Sequence, residues 1–118
     1  MTSTGALDHV VETIVVDCYN EDEAYTAFLT VIEDEVALPA PASLLGSPVT
    51  VVKLDYTDAD RGLVAVCRGP DGTGEIAFVD LAFPADTLAA WLHAAYRHHL
   101  GLKPFPAIQR PDWTWPGD

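Results

Sequence analysis

Residues 49–82 read VTVVKLDYTDADRGLVAVCRGPDGTGEIAFVDLA, and the fold follows from their alternation. Over residues 49–56, Val49, Val51, Lys53 and Asp55 fall on one side of an extended chain. Thr50, Val52, Leu54 and Tyr56 fall on the other. Neither side is purely polar, which predicts a strand covered on both faces at one end. Residues 57–62 (TDADRG) form a loop, and residues 63–68 (LVAVCR) form a second strand. The run 69–74 is rich in Gly, Pro and Asp and predicts a hairpin loop. Residues 75–82 (EIAFVDLA) are its partner strand, with Ile76, Phe78 and Asp80 on one side. Residues 42–45 offer another short strand. Short strands joined by tight loops predict a small SH3-like antiparallel β-sheet or open barrel.

Upstream, the period changes. In residues 7–19, Leu7, Val10, Val11, Ile14, Val15 and Cys18 recur at helical spacing. The β-branched run 13–16 pulls mildly toward a strand, and the longer period predicts a helix. Asn20 followed by Glu21, Asp22 and Glu23 predicts a helix start. Asn20 is the cap, Glu23 takes the capping-box position, and the acids lie at the positive end of the dipole. Ala24, Phe28, Val31, Ile32, Glu35 and Val36 trace one face, widened by Tyr25 and Leu29, and Pro39 and Pro41 stop the helix.

Downstream, Pro84 suits the first turn of a last helix with a buried stripe of Leu88, Trp91, Leu92, Ala95 and Tyr96. Arg97, His98 and His99 fall in its final turn and Gly101 at its carboxyl end. Residues 1–6 are expected to fray. Residues 104–118 form a Pro/Trp-rich tail whose Trp113 and Trp115 are expected to pack back. The whole reads as a single α+β domain over residues 1–118: N-terminal helices, a small curled sheet and a C-terminal helix.

The chain carries a formal charge of −12, unevenly spread. Residues 1–52 hold nine acids and no Lys or Arg; residues 53–118 hold nine acids and six bases. Phosphate-binding surfaces need Lys and Arg, so nucleic acids and anionic membranes are disfavoured partners. Cations and basic protein surfaces are favoured ones. Two cysteines, no secretory leader and no long apolar run predict a reduced, cytoplasmic setting.

No nucleophile motif, phosphate loop or paired CxxC occurs. Cys18, on a helical apolar face, and Cys67, within a strand, read as small core residues. His93, His98 and His99 do not stack on one helical face and read as solvated helix-end residues. A hydrolase or transferase pairing the acids with His93 lacks any nucleophile–base spacing, so no enzyme is expected. The carboxylates are more informative. Asp55, Asp58 and Asp60 fall within six residues around a turn, and Glu33, Asp34 and Glu35 crowd the negative end of a helix. Calcium takes six to eight oxygen ligands, often from such loops. The loop is no EF-hand, since counting from Asp58 puts Gly62 and Gly69 where ligands belong.

The stretch 14–42 (IVVDCYNEDEAYTAFLTVIEDEVALPAPA), followed by GSPVTVVKLDY and an acidic loop, resembles the CcbP-like, cyanobacterial-type calcium-binding protein family. The segment 32–39 is similar to the family's acidic helix end before its sheet, and residues 49–55 to its first long strand. Here Ala40 replaces an aromatic, and the acidic loop is thinned to Asp55, Asp58 and Asp60 beside Arg61. The resemblance covers about residues 15–83. It implies an acidic, non-enzymatic calcium buffer or sensor that binds through surface carboxylates. The expected ligands are Asp55, Asp58 and Asp60, with Glu33, Asp34 or Glu35. The alternative is a protein-interaction module of the acidic inhibitor or immunity type, docking a basic partner without calcium.

Overall fold

The computed structural model describes residues 4–110 and Trp113. Helices α1 (Thr4–Val15) and α2 (Glu21–Glu35) precede strands β1 (Ala40–Leu44), β2 (Ser47–Tyr56), β3 (Leu63–Gly69) and β4 (Gly72–Ala77). A 3-10 turn (Phe78–Asp80), strand β5 (Leu81–Ala82) and helix α3 (Leu88–His99) follow. The architecture is mixed α+β, as the alternation predicts. Helix α1 takes in Thr4 to Ala6, within the stretch expected to fray.

The sheet is antiparallel throughout, in the order β4-β3-β2-β1-β5. Strands β4 and β5 are neighbours in sequence but occupy opposite edges. In a flat sheet those edges would stand about 19 Å apart, at ~4.8 Å per strand spacing. The three-residue 3-10 turn between them advances only about 6 Å. The sheet must therefore curl until its edges approach, although they do not pair. Residues 75–82 are thus not one strand: the chain leaves β4 at Ala77, buries Phe78 and re-enters as β5 beside β1. The hairpin turn between β3 and β4 is also tighter than expected, since Gly69 already pairs with Gly72.

A bulge corrects the alternation of β2. Val51 faces Cys67 and Lys53 faces Val66, so Val52 has no partner of its own. The extra residue reverses the pleat. Val51 and Leu54, predicted on opposite faces, are both buried in the core.

Helix α2 starts as its sequence predicts: the Asn20 Oδ1 accepts the Glu23 N–H at 2.9 Å. Ala24, Phe28, Val31 and Ile32 are its buried face, and the helix ends at Glu35 with Val36 extended. Helix α1 stops at Val15, so Cys18 sits half-buried in the connection to α2, not on a helical apolar face. Helix α3 is capped by Thr87, whose Oγ1 accepts the Ala90 N–H, and Pro84 lies outside the helix. At its far end the N–H groups of Gly101 and Leu102 close onto the carbonyls of His98 and Arg97, the paired bonds of a Schellman cap. Trp113 is half-buried against the core, and its Nε1–H donates to Glu35 Oε1 at 3.2 Å. Trp115 lies outside the described residues.

Seven consecutive residues of α3, Ala90 to Tyr96, are buried. A helix with one apolar stripe leaves about half its circumference to solvent, so this helix is enclosed on nearly all sides. Tyr96 is the fixed point. Its hydroxyl accepts the Leu63 N–H at 2.9 Å, and its ring meets Tyr25, Phe28 and Phe78 edge-on. Gly62 permits this approach. It holds φ +65, and a Cβ there would lie 2.8 Å from the Tyr96 hydroxyl.

Two substitutions test this account. Tyr96→Phe strands the Leu63 N–H in a dry site and is expected to lower unfolding free energy by about 1–3 kcal/mol, read from urea denaturation. At the β1–β2 hairpin tip, Leu45 is 98% exposed and held at φ +52. Leu45→Asn is expected to stabilise the fold by roughly 0.5–1 kcal/mol, because Asn accepts left-handed backbone more readily than Leu. An unchanged or lowered urea midpoint for this variant would contradict the turn geometry.

Candidate functional site

The acidic side chains expected to bind calcium fall into two groups at opposite ends of α2. Asp55, at the end of β2, and Asp58 and Asp60, in the β2–β3 loop, are all exposed. Asp55 Oδ1 accepts the N–H of Tyr56 at 2.8 Å, and Asp58 Oδ1 accepts that of Arg61 at 3.0 Å. The Asp58 carbonyl also accepts the Gly62 N–H, so the loop is wound on its own backbone. The Arg61 guanidinium, in line to compete with a cation, pairs instead with Glu75 at 3.2 Å. Both partners are about half exposed, so this pair adds little stability.

This loop meets the amino-terminal end of α2 through Tyr56. The Tyr56 hydroxyl donates to Asp22 Oδ1, and its ring stacks on Tyr25 at 5.1 Å. The hydrogen bond to Asp22 raises the Tyr56 hydroxyl pKa well above its ordinary value, with burial and the Asp22 charge adding to it. Asp58 is close enough to contribute as well. Asp22 therefore belongs with the loop carboxylates. In sequence Asp22 reads only as an acid at the positive end of the helix dipole, and no spacing signal connects residues so far apart.

Glu33, Asp34 and Glu35 sit at the other end of α2. At 1.5 Å rise per residue, Glu35 lies about 20 Å along the axis from Asp22. One ion cannot bridge the two groups, so the six candidate ligands do not form a common site. Glu35 is already engaged by the Trp113 indole. Among the described residues, no three His, Cys, Asp or Glu side chains are gathered closely enough to hold a metal ion.

The histidines correct the sequence reading. His93 is not a solvated helix-end residue: it is 1% exposed. Phe78, Phe83 and Phe105 surround its ring, and its Nε2 lies 2.8 Å from the Phe78 carbonyl. A carbonyl can only accept, so Nε2 carries the proton. Burial pushes the His93 pKa down to about 4, and nearby Arg97 pushes the same way, against the Phe78 hydrogen bond. His98 binds Asp8 at 2.6 Å, fastening α3 to α1. The Cys18 and Cys67 thiols are both raised by burial, Cys18 also by the charges of Glu23 and Asp17, so both are protonated at neutral pH.

No family model matches the sequence, no curated protein matches it, and no solved structure matches the fold.

Buried His93, away from the acidic loop, gives the fold a pH signature. The folded state keeps the imidazole neutral down to about pH 4, whereas an unfolded chain takes up the proton near 6.5. Between those values the unfolded state binds more protons, so stability falls as pH falls. His93 is expected to cost about 2–3 kcal/mol by pH 4.5. Urea midpoints at pH 7 and 4.5 should therefore diverge more for the native chain than for His93→Gln. A His93 imidazole NMR signal titrating near pH 6.5 would refute the assignment.

Proposed function

We propose that this protein is a small, acidic, non-enzymatic binding protein whose ligand is the calcium ion, taken up where the β2–β3 loop meets the start of α2. The observation that carries the reading is the Tyr56–Asp22 hydrogen bond, which holds the Asp22 carboxylate of α2 at the residue that follows Asp55, with Asp58 close enough to act on the same hydroxyl. The donor chemistry fits. Carboxylate oxygens are the ligands a hard cation takes, and backbone carbonyls and water complete its coordination. Asp55 and Asp58 each give one oxygen to a backbone N–H and keep the other.

The carboxylates must be drawn together on binding, because they are not gathered beforehand. Ordering the loop offsets part of the binding energy, which places the affinity in the weak class of about 10⁻⁴–10⁻³ M. This range suits a buffer or a sensor of high calcium. The net charge of −12 raises the local cation concentration and eases ion entry. Glu33, Asp34 and Glu35 form no part of this site.

Calorimetric titration of chelator-stripped protein, with magnesium as control, tests the reading. Calcium should give a saturable heat and raise the melting temperature, since a ligand at about ten times its Kd adds roughly 1.4 kcal/mol to the native state. Asp58→Asn with Asp60→Asn should weaken binding, and so should Asp22→Asn alone. Glu33→Gln with Asp34→Asn should leave it unchanged. No heat and no thermal shift at saturating calcium would remove calcium from the account.

A further inference from the structure

The exposed side of α2 carries a groove of about 390 Å3, lined by Cys18, Asp22, Glu23, Thr26, Ala27 and Thr30. Its hydroxyls are already satisfied: Thr26 Oγ1 donates to the Asp22 carbonyl at 2.8 Å, and Thr30 Oγ1 to the Thr26 carbonyl at 3.0 Å. An occupant is therefore offered carbon surface along the floor, not hydrogen-bond donors. Cys18, which lines the groove, lies on the connection between α1 and α2, where the apolar side chains of Val16 and Tyr19 also stand open, at 74% and 91% exposure.

The surrounding charge has one sign. Asp17, Glu21, Asp22 and Glu23 border the groove and the connection, and residues 1–52 contain no Lys or Arg. Among the described residues, the ion pairs join Arg61 to Glu75 and His98 to Asp8, so none neutralises these acids. A second copy would bring the same negative face, and like charges opposed across an interface disfavour self-association.

We propose that this groove docks a basic polypeptide segment of a partner protein. An aliphatic or aromatic anchor of that segment enters between Cys18 and Ala27, and its Lys or Arg side chains meet Asp17, Glu21, Asp22 and Glu23. Apolar contact supplies the affinity, and the acidic rim supplies the association rate and the selection of partner. The inference does not rest on calcium, although Asp22 lies in both regions.

Fluorescence anisotropy with a labelled amphipathic Lys/Leu peptide, in chelator and at low salt, tests the proposal. A Lys/Ser peptide of equal charge and a Glu/Leu peptide serve as controls. The Lys/Leu peptide should bind at least roughly tenfold more tightly than either control. Thr26→Gln with Thr30→Gln fills the groove at exposed positions without changing charge, and should weaken binding by roughly tenfold. Glu23→Lys should weaken it similarly. Asp34→Lys, the same charge change at the far end of α2, should alter it less than about twofold. Equal binding of the Lys/Leu and Lys/Ser peptides, equal loss in Glu23→Lys and Asp34→Lys, or no binding of the Lys/Leu peptide would each overturn the proposal. Circular dichroism confirms that every variant is folded.

Discussion

The Tyr96 side chain is the joint on which the other elements close. It leaves α3, passes between the rings of Tyr25, Phe28 and Phe78, and ends on the Leu63 N–H at the first residue of β3. One residue thus ties α2, α3, the 3-10 turn and the sheet. The arrangement needs Gly62 beside the hydroxyl, since any side chain there would push Tyr96 back. Dry surroundings make the bond strong, and the same dryness makes its loss costly. The packing of Ala90, Ala94 and Ala95 serves the same end, because small residues let α3 sit deep enough for Tyr96 to reach β3.

The candidate loop is held at one remove from this joint. Tyr25 touches Tyr96 on one side and stacks on Tyr56 on the other, and Tyr56 reaches Asp22. The β2–β3 loop between Tyr56 and Leu63 is therefore pinned at both ends by the aromatic set, while the aspartates between stay in solvent.

Sequence periodicity carried the helices and β2 and β3, because those elements bury one face and the pattern repeats long enough to be read. It failed where the geometry is three-dimensional. Residues 75–82 look like a strand, since nothing in EIAFVDLA marks the point at which a curled sheet forces the chain across to its other edge. The Val52 bulge is silent because apolar residues stand on both sides of it. In sequence His93 falls outside the one apolar stripe that periodicity marks, whereas α3 is enclosed almost completely and a histidine can satisfy one nitrogen on a carbonyl. The acidic loop was legible as a cluster in sequence. Its link to Asp22, and its separation from Glu33, Asp34 and Glu35 by the length of α2, were not, because both depend on how helix and sheet pack.

The placement of the bases sharpens the functional asymmetry. Arg97 donates to the Val79 and Lys103 carbonyls and lies 4.0 Å from the Phe105 ring centre, so its charge is spent in closing the end of α3. Arg110 reaches the Asp86 carbonyl, and Arg61 pairs with Glu75. These three guanidiniums hold together the second half of the chain and none is directed at α2. Among the described residues no ion pair engages the acids of α2, although Asp22 accepts the Tyr56 hydroxyl and Glu35 the Trp113 indole, and their mutual repulsion is an energy that any bound cation relieves. A diffuse salt atmosphere relieves it weakly and without geometry. The proposed ion at the loop, or the proposed basic segment in the groove, would relieve it at a defined place, with Asp22 common to both. The guanidiniums of Arg61, Arg97 and Arg110 thus serve contacts within the second half of the chain, and among the described residues no ion pair does the same for the acids at the start of α2.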